Sequence, residues 1–147
     1  MDSFFVGIVV VPGVTALVLL ALFTYLYQQS REGYFRAWQL AWAAYTLFYA
    51  ATGAIYLGHG GGTTYIAAKL LHIVTVLTIL VSTRLMDGEP FEIEWYDVGL
   101  FIAGVAYSGY LLKLHIQDGK FVLIGRTPLI ELEILLAITL LVAAMKF

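Results

Sequence analysis

The sequence lacks cysteine altogether and has few charged residues. The absence of cysteine excludes disulfides, zinc–thiolate sites and iron–sulfur clusters. Only 12% of the 147 residues are charged, against about 25% in soluble domains, and 61% are hydrophobic. Because the charges fall between long apolar runs, the composition predicts an integral membrane protein. The eight basic residues are scattered and form no patch, so we expect no nucleic-acid partner.

Motifs for catalysis are also missing from the sequence. There is no His-Glu-x-x-His, no Gly-x-Ser-x-Gly and no phosphate-binding loop, since the glycine run Gly60–Gly62 lacks the lysine that such a loop requires. No internal repeat divides the chain into the halves expected of a transporter. No basic residue precedes the first apolar run, so we expect a retained span and not a cleaved signal peptide. The chain is therefore predicted to be non-enzymatic.

What is present is a series of apolar runs of membrane-spanning length, about 20 residues each. They predict an all-α, five-helix transmembrane bundle in a single domain. The predicted spans are residues 4–27, 35–57, 64–86, 97–114 and 128–146. Pro12 falls inside the first span and predicts a kink there.

The segment 113–124 has two interpretations. Asp118-Gly119 lies between partly alternating runs, a pattern typical of a small β-hairpin outside the membrane. The alternative is a tight helix–helix turn, with the last span starting at Phe121. Thr127-Pro128 favours a later start, because threonine caps helices and proline suits their first position.

The second span has one aromatic side and one small-residue side. Its aromatic residues recur at helical steps, which predicts a packing face more readily than a site that stacks a flat ligand. Arg31 and Arg36 precede or begin this span and should fix its end at a membrane surface. The residues that we predict to pack are Trp38, Trp42 and Tyr45 on the aromatic side and Ala37, Ala41 and Ala44 on the small side.

The third and fourth spans carry small residues that favour helix packing. A stripe of small and hydroxyl residues along the third span should face protein and not lipid; it comprises Thr64, Ala68, Leu71, Thr75, Thr78 and Ser82. In the fourth span, Gly99/Ala103 and Gly104/Ser108 are small-xxx-small pairs, which allow close approach of another helix.

Ionisable residues inside a membrane are candidates for function. Lys69 and His72 share one face of the third span. We predict an extracytoplasmic pocket in which they and Arg126 face Glu131 or Glu133, able to bind an anionic or quinone-like ligand or to respond to protons. In the alternative, Lys69 reaches the interface and His72 bonds a neighbouring helix.

No cofactor or metal site is predicted. His72 could ligate haem or chlorophyll, but a bis-histidine haem needs a second histidine at the same depth. The other two histidines, His59 and His115, have the sequence context of loop or interface residues.

The five apolar runs predict a multi-pass protein of the cell (inner) membrane, and the distribution of lysine and arginine bears on its orientation. The counts near the two sets of span ends are equal, but the first loop is basic and Asp2 precedes the first span. We therefore predict an external N-terminus and a cytoplasmic C-terminus.

The run from Tyr34 to Tyr45 (YFRAWQLAWAAY) resembles the second helix of multi-span N-terminal sensor regions in bacterial signalling proteins. The later layout, with a turn rich in glycine and proline and then two more spans, is also similar. Such regions precede histidine-kinase, PAS or diguanylate-cyclase modules, so the resemblance implies a membrane input module that passes on a signal by helix rearrangement. This chain ends at Phe147 without such a module, which leaves an excised input domain or a free-standing protein as alternatives.

A different class of function also fits the sequence. The chain could be a small accessory subunit of a larger respiratory, photosynthetic or transport complex. The small-residue faces suit either function, and for both we expect the lipid bilayer and either a homo-oligomer or a larger membrane complex as partners.

Overall fold

A computed structural model describes residues 3–122 and 133–146 of the chain. In these residues it shows five helices and one two-stranded hairpin, which confirms the predicted helical fold. The helices are α1 (Ser3–Ser30), α2 (Gly33–Tyr56), α3 (Gly62–Met86), α4 (Trp95–Leu114) and α5 (Glu133–Lys146), and the strands are β1 (Ile116–Gln117) and β2 (Lys120–Phe121).

Three of the described helices, α1, α3 and α4, are long and apolar enough to cross a membrane. They indicate an integral, multi-pass membrane protein. Helix α2 has 24 residues, about 36 Å at 1.5 Å per residue, but its tryptophans, tyrosines, Arg36 and Gln39 make it less apolar. The described part of α5 has 14 residues. Crossing of the membrane by α2 and α5, and the orientation of the bundle, stay predictions.

Helix α1 departs from α-helical geometry directly before Pro12, where the sequence predicts a kink. Residues Val6–Val10 form a π-helical segment, and the N–H of Val11 donates to the carbonyl of Val6, five residues back. Proline has no N–H and its ring collides with the carbonyl four residues earlier, and the wider π turn relieves that collision.

The helices pack around the α2–α3 pair. Helix α2 lies between α1 and α3, and α3 also contacts α4 and α5. Trp38 of α2 stacks on Phe23 of α1 with ring centroids 5.0 Å apart. On the other side, the carbonyl of Ala41 lies 3.4 Å from the Thr75 hydroxyl of α3, which donates to its own Leu71 at 2.9 Å.

Both rows of small and aromatic residues on α2 are therefore enclosed. The residues of α2 that the sequence predicts to pack are all buried: Ala37, Trp38, Ala41, Trp42, Ala44 and Tyr45.

One of the two small-xxx-small pairs of α4, Gly104/Ser108, packs against another helix of the same chain. A Cβ added at Gly104 would lie 2.7 Å from Ile73 Cδ1 of α3, and Ser108 is buried one turn later. Gly99 faces outward, and no described atom comes within 4 Å of its Cβ direction. Its packing role stays a prediction for contact with another chain.

The hairpin is the correct interpretation of the described part of segment 113–124, residues 113–122. Ile116 pairs with Phe121 and Gln117 with Lys120. Asp118 and Gly119 both have positive φ, 50° and 73°, as a two-residue type I′ turn requires. The N–H of Val122 then donates to the carbonyl of His115 at 2.7 Å and closes the hairpin against the end of α4.

The bundle has two distinct ends. At the basic end, α1 finishes, α2 begins, α3 finishes and α4 begins; this end carries Arg31, Arg36 and Arg84. The guanidinium carbons of Arg31 and Arg36 lie 5.8 and 5.4 Å from the ring centroid of Tyr27, so both arginines hold the α1–α2 turn. The opposite, hairpin end holds β1, β2 and the start of α3.

Candidate functional site

Lys69 and His72 are both buried in the interior of the bundle, with no exposed surface. They lie on one face of α3, three residues apart. His72 is two residues before Val74, the midpoint of the 25-residue helix. In a helix that could span the membrane, His72 therefore lies near the middle and Lys69 lies one turn closer to the hairpin end.

His72 is enclosed by aromatic rings of α2. Its ring centroid lies 4.7 Å from that of Phe48 and 5.6 Å from that of Tyr45, the latter in an edge-to-face arrangement. Neither ring nitrogen has a hydrogen-bond partner among the residues that the structure describes. The imidazole therefore has unused capacity to donate or accept a hydrogen bond in a closed apolar setting.

Lys69 extends over an aromatic ring of its own helix. Its Nζ lies 5.5 Å from the ring centroid of Tyr65, one helical turn earlier, within the distance at which a cation and a ring attract each other. Tyr65 is also fully buried. Lys69 does not reach the surface, so the alternative in which it extends to the interface is wrong for this fold.

His115 joins this cluster from the end of α4. Its ring centroid is 5.1 Å from that of Tyr65, and the side chain is buried. Nδ1 lies 2.7 Å from the carbonyl oxygen of Leu111, so Nδ1 carries the proton and donates. Nε2 is buried without a hydrogen-bond partner in the described part of the chain. His115 lies in the turn between α4 and β1, as expected of a loop residue, and its side chain is folded inward from that turn.

These side chains form a continuous group that we term the polar column. It runs from the hairpin end to the middle of the bundle, about 10 Å along α3 at the helical rise. On α2, the hydroxyls of Tyr45 and Tyr49 are 3.1 Å apart and hydrogen-bonded. The members are Tyr65, Lys69 and His72 of α3, Tyr45 and Tyr49 of α2, and His115.

The remaining residues of the predicted pocket are described only in part. Arg126 and Glu131 lie outside the described residues. Glu133 is the first residue of α5, which packs against α3. The element that begins with Glu133 is thus a neighbour of the helix that carries Lys69 and His72.

The two buried histidines do not match a bis-histidine haem site. His115 contacts Tyr65, seven residues before His72 and about 10 Å further along α3, so the two imidazoles lie at different depths. Within residues 3–122 and 133–146, no three histidine or acidic side chains come together as ligands for a metal ion.

A second polar centre lies at the basic end. Arg84 Nη2 and Asp97 Oδ2 are 2.6 Å apart, and Arg84 also donates to the Tyr96 hydroxyl and to the Glu92 carbonyl. Asp97 Oδ2 accepts the N–H of Glu94 at 2.9 Å as part of a capping box that begins α4. This centre joins α3 to α4.

The polar column contains several groups that can hold a proton, namely two histidines, a lysine and a hydrogen-bonded pair of tyrosines. Its closed setting excludes water, which strengthens each electrostatic interaction within it. Comparisons with models of known protein families, with curated proteins and with solved structures find no match for this chain.

Proposed function

We propose that this chain is a non-enzymatic membrane input module whose sensing element is the polar column. The observation that carries the proposal is the complete burial of Lys69 and His72 on one face of a helix that could span the membrane. The resemblance of residues 34–45 to bacterial sensor regions supports the same function.

Burial of these residues is energetically expensive. A lysine at the centre of a spanning helix costs about 2.5–3.5 kcal/mol on insertion scales. A buried polar group without a hydrogen bond costs about 1–3 kcal/mol more, and both ring nitrogens of His72 are of that kind among the described residues. Apolar side chains of similar volume would avoid both costs, so a role in function accounts for the polar ones better than a role in packing.

A proton is the stimulus that best fits the closed site. Every member of the polar column is at most 9% exposed, so a larger ligand enters only if the helices separate. Histidine changes charge between about pH 5 and 8. The charged and titratable groups of the polar column around His72 are Lys69 on the same helix, Tyr45 and Tyr49 on α2, and His115 after α4. Glu133 is the first residue of the neighbouring helix α5.

The packing of α3 provides a route for the signal. α3 contacts α2, α4 and α5, so a charge placed on His72 acts on the helices around it. Phe48 and Tyr45 must repack first, because their rings enclose the imidazole. A small change at one side chain then becomes a rearrangement of α2 against α3, since packed cores switch between discrete arrangements.

The test is a pH titration of the protein in lipid nanodiscs, with intrinsic tryptophan fluorescence as the readout. Trp38 and Trp42 belong to the aromatic row of α2 and report on its packing. Trp95→Phe removes the fluorescence of the exposed third tryptophan. We expect a sigmoidal change in fluorescence as the pH is lowered, and we expect His72→Gln to abolish it. The exposed His59 provides the matched control, His59→Gln. An identical titration in His72→Gln and the parent protein would exclude His72 as the sensing residue, and an identical titration in the double variant His72→Gln/His115→Gln would exclude the polar column.

An accessory subunit is the second candidate function, favoured by the outward face of α4. Gly99 there has open space beyond its Cα, and Phe101 and Ile102 are exposed nearby. Such a face admits close approach by a helix of a larger protein. Purification in mild detergent separates the two functions: large partners in fixed stoichiometry favour the subunit, whereas the isolated chain with an intact pH response favours the sensor.

A further inference from the structure

The connection from α3 to α4 carries a row of exposed apolar side chains. Residues 89–94 form neither helix nor strand, and in an extended chain alternate side chains share one side. Phe91 and Ile93 are 67% and 69% exposed, and Trp95, two residues further on, is 83% exposed. We term these three side chains the apolar edge. Three large apolar groups so close together indicate a surface for interaction.

Acidic side chains occupy the other side of the same connection. A polar cavity of about 220 Å³ is lined by Glu89, Glu92 and Glu94, together with Pro90 and Arg84. The residues of the apolar edge do not line this cavity. The connection thus holds its carboxylates and its large apolar groups on two different sides.

The apolar edge continues the lateral surface of two helices that could span the membrane. Phe91 and Ile93 line one apolar groove at the basic end. Leu85 near the end of α3 and Val98 near the start of α4 belong to the walls of that groove. Both helices are long and apolar enough to cross a bilayer. Because the connection joins their ends, it lies where they leave the bilayer, and its apolar edge is continuous with the surface that they present to lipid.

The connection is held against the helix ends, so its two sides keep their orientation. The N–H of Glu89 donates to the carbonyl of Arg84 at 3.2 Å, and Arg84 Nη2 donates to the carbonyl of Glu92 at 3.1 Å. Glu94 and Asp97 form the capping box at the start of α4. Rotation of the connection about its own axis would break these bonds.

The backbone of the connection determines the depth at which it can lie. Irregular backbone that faces lipid does not occur in the hydrocarbon region, because its N–H and carbonyl groups would lack partners there. Headgroups and water supply such partners at the membrane surface, where tryptophan is also enriched. The carboxylates likewise need water. These requirements together place the backbone among the headgroups, with the apolar edge towards the acyl chains.

We infer that the connection from α3 to α4 is an interfacial membrane anchor, whose partner is the lipid surface itself. The apolar edge inserts about 5–10 Å into the boundary between headgroups and acyl chains, and the side chains of Glu89 and Glu92 stay in water. The anchor sets the level of the adjoining ends of α3 and α4 in the bilayer. It lies at the opposite end from His115 and is independent of the function proposed for the polar column.

The absence of cysteine allows a test by spin labelling at single sites. The variants are Glu89→Cys, Phe91→Cys, Glu92→Cys, Ile93→Cys and Trp95→Cys; Glu94 is left unaltered because it caps α4. Each nitroxide-labelled protein is placed in phosphatidylcholine liposomes, and electron paramagnetic resonance measures its accessibility to oxygen and to a water-soluble nickel chelate. We expect labels at positions 91, 93 and 95 about 5–10 Å below the headgroups, and labels at 89 and 92 in water.

Two control sites calibrate the measurement. Val18→Cys, at a position 62% exposed within α1, gives the reading for lipid, and Lys120→Cys, at an exposed position of the hairpin, gives the reading for water. If the labels on the apolar edge match Lys120→Cys, the apolar edge lies in water. If neither reagent reaches them, another protein chain covers the apolar edge. Either result overturns the inference, as do equal readings at 91 and 92.

Tryptophan fluorescence checks the inference without a label. Lipids brominated at different carbons of the acyl chain quench tryptophan according to its depth, and the signal lost in Trp95→Phe is that of Trp95. We expect this signal to be quenched most by bromine near the headgroup. Strong quenching by aqueous iodide without quenching by any brominated lipid would contradict insertion.

Discussion

Asp97 Oδ2 accepts a hydrogen bond from Arg84 Nη2 at 2.6 Å, across the connection from α3 to α4. The two side chains are unequally enclosed, with 13% of Arg84 exposed against 6% of Asp97. Arg84 keeps further partners in the Tyr96 hydroxyl and the Glu92 carbonyl. Replacement of Arg84 and replacement of Asp97 should therefore change the stability of the protein by different amounts.

We predict that Arg84→Gln destabilises the protein more than Asp97→Asn does. Loss of Arg84 leaves a buried carboxylate without its counter-charge, which costs about 3 kcal/mol. Asparagine at position 97 can still accept the N–H of Glu94 at the start of α4, and Arg84 keeps its other partners, so that variant should lose about 1 kcal/mol. Thermal unfolding in detergent micelles measures both. Lys113→Gln, an exposed change on α4, is the control; the reverse order of the two losses would contradict the prediction.

We predict that a larger residue at Gly104 lowers the stability of the protein, whereas a larger residue at Gly99 has little effect on it. A Cβ at Gly104 would lie 2.7 Å from Ile73 Cδ1 and 2.9 Å from its Cγ1, whereas the same atom at Gly99 meets nothing among the described residues. Gly104→Val should therefore cost about 1–3 kcal/mol through overpacking, and Gly99→Val less than about 1 kcal/mol. Unfolding of the isolated chain in detergent gives both values. Equal losses would show that the α3–α4 contact is looser than described.

We predict that the hairpin depends on glycine at position 119 of its type I′ turn. Gly119 has φ of 73°, which costs a residue with a side chain about 1–2 kcal/mol. Gly119→Val should therefore open the hairpin and expose the Val122 N–H, which donates to His115. Hydrogen–deuterium exchange at Val122 should become faster, while exchange in α2 stays unchanged. Asp118→Asn should preserve slow exchange, because asparagine tolerates positive φ.

His72 and Phe48 should have opposite effects on stability. His72→Leu removes two buried nitrogens that lack partners among the described residues and should leave stability unchanged or raise it by about 1–2 kcal/mol. Phe48→Ala removes a ring that is 1% exposed and should cost about 3–5 kcal/mol. Thermal unfolding at about pH 8, where histidine is neutral, checks both. A large loss in His72→Leu would mean that the imidazole serves the fold.

The ends of α1 to α4 could be predicted from the sequence to within a few residues, whereas the predicted start of the fifth span at residue 128 lies outside the described residues. Apolar runs of spanning length end at strong turn signals, such as Gly58 after α2 and Asp87-Gly88 after α3, and the structure places the helix ends there. Local chemistry indicated the hairpin as one of two interpretations, since Asp-Gly is suited to positive φ at both turn positions.

The composition of the polar column could be predicted only in part. Lys69 and His72 were identifiable because ionisable residues stand out inside an apolar run. Burial of His115 and Tyr65 depends on the hairpin folding back over the start of α3, a contact between residues far apart in sequence. The Arg84–Asp97 pair likewise needs the α3–α4 connection to double back. Helical periodicity carries no information about such contacts.

The central place of α3 has a consequence for biosynthesis. Its ionisable face is covered by α2, which leaves the ribosome earlier, and by His115, which emerges later. While the chain is being made, α3 must enter the bilayer with Lys69 and His72 only half enclosed. Insertion of α3 should therefore depend on prior pairing with α2, so that the two helices enter the bilayer as a pair. The later part of the chain then covers the rest of the ionisable face of α3.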